Sequence, residues 1–245
     1  MRDDLADASA SINWAATQIP LLQQGFTDWQ RSNPYRVIQE RDSDSGNDVA
    51  VVYDQSFPLT FNAWVGAIIN SVRSSLDILA AALAIRNGIK PDQRTHFPIF
   101  GSMQDMIDPL DGIEGKKWLS QSERATIKSL NPYHGGDDTI WPLHRLDIHR
   151  KHERLISVQP DVGGFLMIGR RHMHVGGAKA IKRLENKTVL LKLSPGEILD
   201  ATQGNALLAV FVTFNETALG LADQEVATTL RKFATRVAEI VAMFD

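Results

Sequence analysis

The 245-residue chain contains no cysteine. That excludes disulfides, thiolate catalysis and the cysteine-based zinc and iron–sulfur centres. A strong charge of one sign is also missing: 26 lysines and arginines against 29 aspartates and glutamates give a formal net charge of −3. No global positive field draws in nucleic acid, so any such contact would use a local basic patch. The longest apolar stretch, 63–85, is interrupted by Asn70, Arg73 and Asp77, so a membrane span is not expected. The acidic opening MRDDLADASA argues against a secretory signal. The expectation is a soluble, cytoplasmic protein. Several fingerprints are absent too: the G-x-S-x-G elbow, the P-loop, the G-x-G-x-x-G turn and the H-E-x-x-H zinc motif.

What is there is an ordinary globular composition, 43% apolar and 22% charged, enough for a packed core. Leu5, Ala8, Ile12, Ala15, Ile19 and Leu22 recur at helical spacing and predict a helix over 3–30, with Pro20 expected to break or kink it. Segments 35–41 and 48–55 read as a hairpin across the turn-rich DSDSGN. A long central helix is predicted over 61–87, capped by Thr60 or Asn62 and stopped at Asn87-Gly88. Its stripe Phe61, Val65, Ile68, Val72, Leu76, Leu79 and Leu83 is apolar; Asn70, Arg73 and Asp77 share another side with small alanines. Residues 91–118 read as irregular. A short helix follows from Ser120 or Ser122, with Glu123 in its first turn. A further helix starts at Thr139 and runs to 155.

From 155 onward the period changes to two. Strands are predicted at 155–159, 164–169, 187–193 and 206–214, with turns at Gly163-Gly164 and Gly176-Gly177. The amphipathic segment 224–244 closes the chain as a helix. With no repeat or linker to divide it, the chain reads as one α+β domain over 1–245, helices packed beside a mostly antiparallel sheet.

Chemistry-capable residues cluster in one place. WPLHRLDIHRKHER, 141–154, holds three of the seven histidines and four of the 26 lysines and arginines. On a helix, Arg145, His149 and His152 span roughly 60° of arc, while His144, Ile148, Lys151 and Leu155 form a neighbouring stripe. Histidine exchanges protons near neutrality and arginine stabilises developing negative charge, so the parts suit phosphodiester cleavage without a metal. They equally suit a solvated helix face. Arg73 and Asp77, four apart, can pair either as a structural ion pair or as a second wall of the same site. Metal binding rests on little: His149 and His152 at i and i+3, and His172 with His174 on a strand.

The blocks VRSSLDILAAAL at 72–83, FPIF at 97–100, NPY at 131–133 and LHRLDIHRKHERLI at 143–156 resemble, in order and spacing, an uncharacterised family of bacterial and phage proteins. In that family the last block reads Asp-Lys-His-Arg; here Lys151 and His152 keep the match, with Arg150 and Glu153 at the flanks. The resemblance covers roughly 60–160 and implies a layout without a mechanism. A looser likeness is to the HEPN ribonucleases, which are helical and carry Arg-x4–6-His; Arg145 and His152 have six residues between them.

Two functions are therefore expected as alternatives. One is a non-catalytic binding or interaction protein whose polar cluster between two helices docks an acidic partner or a small anion. The other is a metal-independent ribonuclease with His152 as acid or base, His149 assisting, Arg145 on phosphate, and Arg73 with Asp77 orienting the site. Neither implies a cofactor or a metal. Self-association through the central or C-terminal helix is a further expectation.

Overall fold

Apolar spacing of three and four residues does in the folded chain what the sequence predicts: Leu5, Ala8, Ile12, Ala15, Ile19 and Leu22 are all buried, along one face of a helix. A computed structural model describes residues 2–32, 35–54, 57–111, 116–168, 173–177, 182–184, 187–195 and 206–245. Its helices are α1 (Ala6–Arg31), α2 (Leu59–Arg86), α3 (Met103–Asp111), α4 (Gln121–Ser129), α5 (Ile140–His152) and α6 (Val226–Ala242). Its strands are β1 (Tyr35–Arg41), β2 (Asp48–Asp54), β3 (Val158–Ile168), β4 (Met173–Gly177), β5 (Lys182–Leu184), β6 (Lys187–Lys192) and β7 (Ala206–Phe214). The class is α+β.

Contacts group the chain into two compact units. The first comprises Met1–Gln23, Thr60–Ser157 and Phe214–Asp245 and is helical. α2 is its centre: Val65, Ile68, Ile69, Val72, Leu76, Leu79 and Leu83 are fully buried. This helix is long and apolar enough to cross a membrane, but 61% of its most apolar window lies inside the fold. α6 presents Val226, Leu230, Phe233, Val237 and Ile240 to the core. Hydroxyls tie α1 to α2, with Ser11 Oγ donating to Ser71 O and Ser71 Oγ to Ser11 O, each at 2.9 Å.

The second unit comprises Gln24–Leu59 and Val158–Thr213 and holds the sheets. One has the order β1-β2-β6-β5, the other β4-β3-β7. The predicted hairpin is β1–β2, antiparallel from Tyr35 opposite Asp54 to Arg41 opposite Asp48; Gln55 lies outside the described residues. β6 continues the sheet with a bulge between Ala50 and Val51. Ala50, Val52, Val162, Leu190 and Leu193 form the buried cluster, so alternate residues of both sheets meet in one core.

Several sequence expectations are corrected. Pro20 does not end its helix; α1 runs through it. The predicted strands at 155–159 and 164–169 are one strand, β3, and Gly163-Gly164 sits inside it rather than in a turn. A Cβ on Gly163 would lie 2.4 Å from the Phe211 ring, so this glycine makes room for an aromatic ring. Gly176 and Gly177 belong to β4, opposite Phe165 and Gly164. The irregular reading of 91–118 overlooks α3.

Candidate functional site

The site is built on a stripe of α2: Asn62, Gly66, Asn70, Arg73 and Asp77 follow one another at three- or four-residue steps, one helical face. The first four meet α5 or the segment that follows it, and Asp77 meets the segment after α2. Asn62, expected as a cap, lies inside the helix and donates its amide to Ile156 O at 2.7 Å. Gly66 lets α5 approach, since a Cβ there would lie 2.8 Å from Arg150 Cδ. Asn70 accepts from Arg150 Nη2 at 2.7 Å. Arg73, only 3% exposed, donates from Nη1 to Asp77 Oδ1 at 2.7 Å and from Nε to His144 Nδ1 at 3.2 Å. Asp77 Oδ1 also accepts from the Phe97 amide at 3.0 Å.

α5 is fixed at its start by Asp137, not by Thr139. Asp137 Oδ1 accepts from the Thr139 and Ile140 amides at 2.8 and 2.7 Å, and its Oδ2 from Arg236 Nε at 2.9 Å. The carboxylate thus joins the helix N-terminus to α6. Farther along, Asp147 is buried and pairs with Lys151. Arg150 Nε lies 3.5 Å from Asp147 Oδ1, yet neither atom reaches hydrogen-bonding geometry, so Arg150's bond to Asn70 is the firmer one.

The segment after α2 closes the other side. Phe100 N donates to Pro132 O at 2.9 Å, and Phe100 bridges to Tyr133. The four blocks that carry the family resemblance are therefore joined: Asp77 to Phe97, Phe100 to Pro132 and Tyr133, and Arg73 to His144.

Beside this knot lies an open groove of about 320 Å³, lined by Ile99, Phe100, Gly101, Trp141, His144, Arg145, His149, Ala218 and Leu219. Among the described residues its lining has one permanent cation, two histidines and no carboxylate. Among the described residues Arg145 makes no hydrogen bond or ion pair, so its guanidinium is uncommitted. His149 Nδ1 is buried without a hydrogen-bond partner there, and its Nε2 sits 3.8 Å from Glu153 Oε1. Burial first, and then the Arg73 charge, push His144 down to about 4. The ring is therefore neutral at pH 7. Because Nδ1 accepts from Arg73, the proton sits on Nε2. His144 can donate one hydrogen bond but cannot act as an acid near neutrality. His96, next to the Phe97 that Asp77 holds, is also pushed below its ordinary value, by burial and then by Lys116.

The structure divides the five sequence candidates. The buried Arg73 and the partly exposed Asp77 pair with each other outside the lining, with Arg73 bonded to His144; Arg145 and His149 line the groove. His152 is exposed in the last turn of α5 and is not part of the lining. His144 replaces it as the third polar wall. Helical phase alone assigns His144 to a mixed stripe; only the Arg73 contact marks it. Of the metal alternative, His172 lies outside the described residues, and among those described no group of three histidine or acidic side chains could hold an ion. No family model, curated protein or solved structure matches this chain.

Proposed function

We propose that this is a non-catalytic binding protein, soluble and cytoplasmic, whose groove takes a small anion between Arg145, His149 and the Nε2–H of His144. The observation that carries the reading is the uncommitted Arg145 guanidinium in a groove without a carboxylate. A guanidinium fork matches two oxygens of an oxyanion, and neutral histidine adds a directed donor without adding charge. Isothermal titration with phosphate, sulfate and acetate at fixed ionic strength tests it. Binding of at least one, weakened roughly 10- to 100-fold by Arg145→Gln as expected for a charged hydrogen bond, supports the proposal. Absence of binding by all three, or equal binding by the variant, rejects it.

The ribonuclease reading keeps one supporting observation: Arg145 and His149, whose Nδ1 has no hydrogen-bond partner among the described residues, share the groove. It then assigns proton transfer to His149, with His152 dispensable. Cleavage of mixed RNAs that is lost in His149→Ala and retained in His152→Ala is its signature. Cleavage lost in neither variant, or none at all, leaves the binding reading alone.

A further inference from the structure

We infer that the anion held in this groove is the phosphate of a nucleoside monophosphate, with its planar base set against Trp141. The inference rests on the anion-binding reading and adds the chemistry of the rest of the ligand. Only one part of the groove is polar. Trp141, Phe100, Ile99 and Leu219 supply the remainder, and an inorganic anion would leave that surface uncovered. At about 320 Å³ the hollow is in the size range of small-molecule sites rather than ion sites.

Trp141 is the feature that selects a ring. Its indole stacks on His134, centroids 4.2 Å apart and planes tilted by 34°. A tryptophan already braced by a neighbour loses little freedom when a base packs on it. Trp141, Ala218 and Leu219 also border a second hollow of about 420 Å³ that contains Gln224, Lys232 and Asp138. The two hollows therefore adjoin along Trp141. A ligand anchored at Arg145 can run past the indole toward the Lys232–Asp138 pair and toward Gln224, whose amide nitrogen donates to Gly220 O and whose oxygen can still accept from the edge of a base.

Phosphate fits the polar end better than a carboxylate. The guanidinium fork, the His144 Nε2–H and a ring N–H of His149 would fill every acceptor site of two coplanar oxygens, whereas a tetrahedral group with three free oxygens can take the same donors and keep sites for water. Among the described residues no acidic side chain lines the groove, and Glu153, the carboxylate beside His149, stands 3.8 Å from its Nε2 on a half-exposed side chain, where water screens its repulsion of a dianion. No bond is made or broken; the step is binding alone.

The test is calorimetric titration of the full chain with AMP, CMP, adenosine and inorganic phosphate at constant ionic strength, repeated with Arg145→Gln, Trp141→Leu and Trp141→Phe. The expected result is that the nucleotides bind at least roughly tenfold more tightly than either phosphate or adenosine, the increment that stacking one base supplies. Arg145→Gln weakens nucleotides and phosphate alike. Trp141→Leu weakens only the nucleotides, and Trp141→Phe, which keeps a ring, restores most of the difference. Circular dichroism identifies a variant that has lost its fold, and the four ligands compared on the native chain decide the matter without it. Phosphate bound as tightly as AMP overturns the nucleotide and leaves the anion site standing. Adenosine bound as tightly as AMP overturns the nucleotide, with the phosphate titration alone deciding the anion site, and no binding of either AMP or phosphate overturns both.

Discussion

Arg73 Nε donates to His144 Nδ1 at 3.2 Å, and this one bond links the packing of α2 on α5 to the chemistry of the groove. It makes Nδ1 the acceptor and leaves the proton on Nε2. It also places a fixed positive charge beside a ring that is already largely withdrawn from water, so protonation is opposed twice. The same guanidinium reaches Asp77, whose carboxylate holds the Phe97 amide. A continuous chain of polar contacts thus runs from the segment after α2, through α2, into α5.

Replacing Arg73 should therefore disturb more than a pair. Arg73→Leu removes both donors, leaving His144 Nδ1 and the inner oxygen of Asp77 without their strongest partner. Asp77's side chain is 37% exposed, so water recovers part of the loss. The expected cost is about 2–3 kcal/mol, below the upper range for breaking a fully buried pair. Arg73→Lys should recover little, since one ammonium cannot serve two acceptors on different helices in the guanidinium geometry. Urea denaturation of both variants checks this; a cost below about 0.5 kcal/mol, the level of an exposed pair, would show that the contact is ornamental.

Acidification should weaken the fold through His144. The unfolded chain binds the proton near the ordinary 6.5, whereas the folded chain binds it only near 4. Between these values the unfolded state carries more protons, so stability climbs with pH across the window and is fully present above it. Water still reaches part of the ring, which discounts the full difference, so on the order of 2 kcal/mol is expected. Arg73 and Arg145 oppose protonation, while Asp77 and Asp147 favour it. His96 is shifted the same way, so it adds to the slope. In His144→Asn, the amide oxygen can take the place of Nδ1 as acceptor for Arg73. Its stability between pH 4 and 6.5 should be flatter than that of the native chain, with the His96 share remaining. An unchanged slope would mean that His144 is not held neutral.

The sequence makes the repetitive elements legible and the tertiary contacts opaque. α2, α6 and β7 declare themselves because burial imposes a period of 3.6 or 2 over many residues, as in Val65, Ile68, Val72, Leu76 and Leu79. The α4 start is legible because Ser120 and Glu123 form a reciprocal capping box. α3 is hidden by Pro98, Gly101 and Pro109, although the Ser102 hydroxyl accepts the Asp105 amide at 3.2 Å where the helix begins. Gly163 looks like a turn because only the partner strand's Phe211 explains it. Arg145 and His149 are legible as groove residues from their four-residue spacing, and Arg73 and Asp77 as a pair. That His144 rather than His152 completes the lining depends on Arg73, seventy-one positions away, and no local pattern encodes it.

Asp137 should prove the most important residue for positioning the groove without lining its cationic end. Its side chain is 8% exposed and accepts two amides at the start of α5 and the Arg236 guanidinium. Asp137→Ala loses the cap, about 1–2 kcal/mol, and leaves Arg236 without its inner partner. Asp137→Asn keeps the oxygen that accepts both amides and loses the one that holds Arg236, so it should cost less. Thr139→Ala, by contrast, removes a hydroxyl that bonds only Asp138 and should matter least of the three. Thermal unfolding ranks them; Thr139→Ala as the most damaging would return the cap to Thr139.

Gly66 offers a test of how closely α2 and α5 meet. In an exposed helix interior, glycine to alanine gains about 1 kcal/mol. Here the new methyl would sit 2.8 Å from Arg150 Cδ and 3.1 Å from its Cγ, so the arginine stem must move, and with it the bond to Asn70. Gly66→Ala in the native background should consequently lose about 1 kcal/mol despite the better helix former, a small overpacking cost. In an Arg150→Ala background the obstacle is gone, and the same change should gain about 0.5–1 kcal/mol. The double-mutant cycle then carries a coupling of about 1.5–2 kcal/mol, well above the scatter for independent sites. Equal effects of Gly66→Ala in the two backgrounds would mean that Arg150 does not lie across Gly66, and the close approach that brings His144 to Arg73 would need another cause.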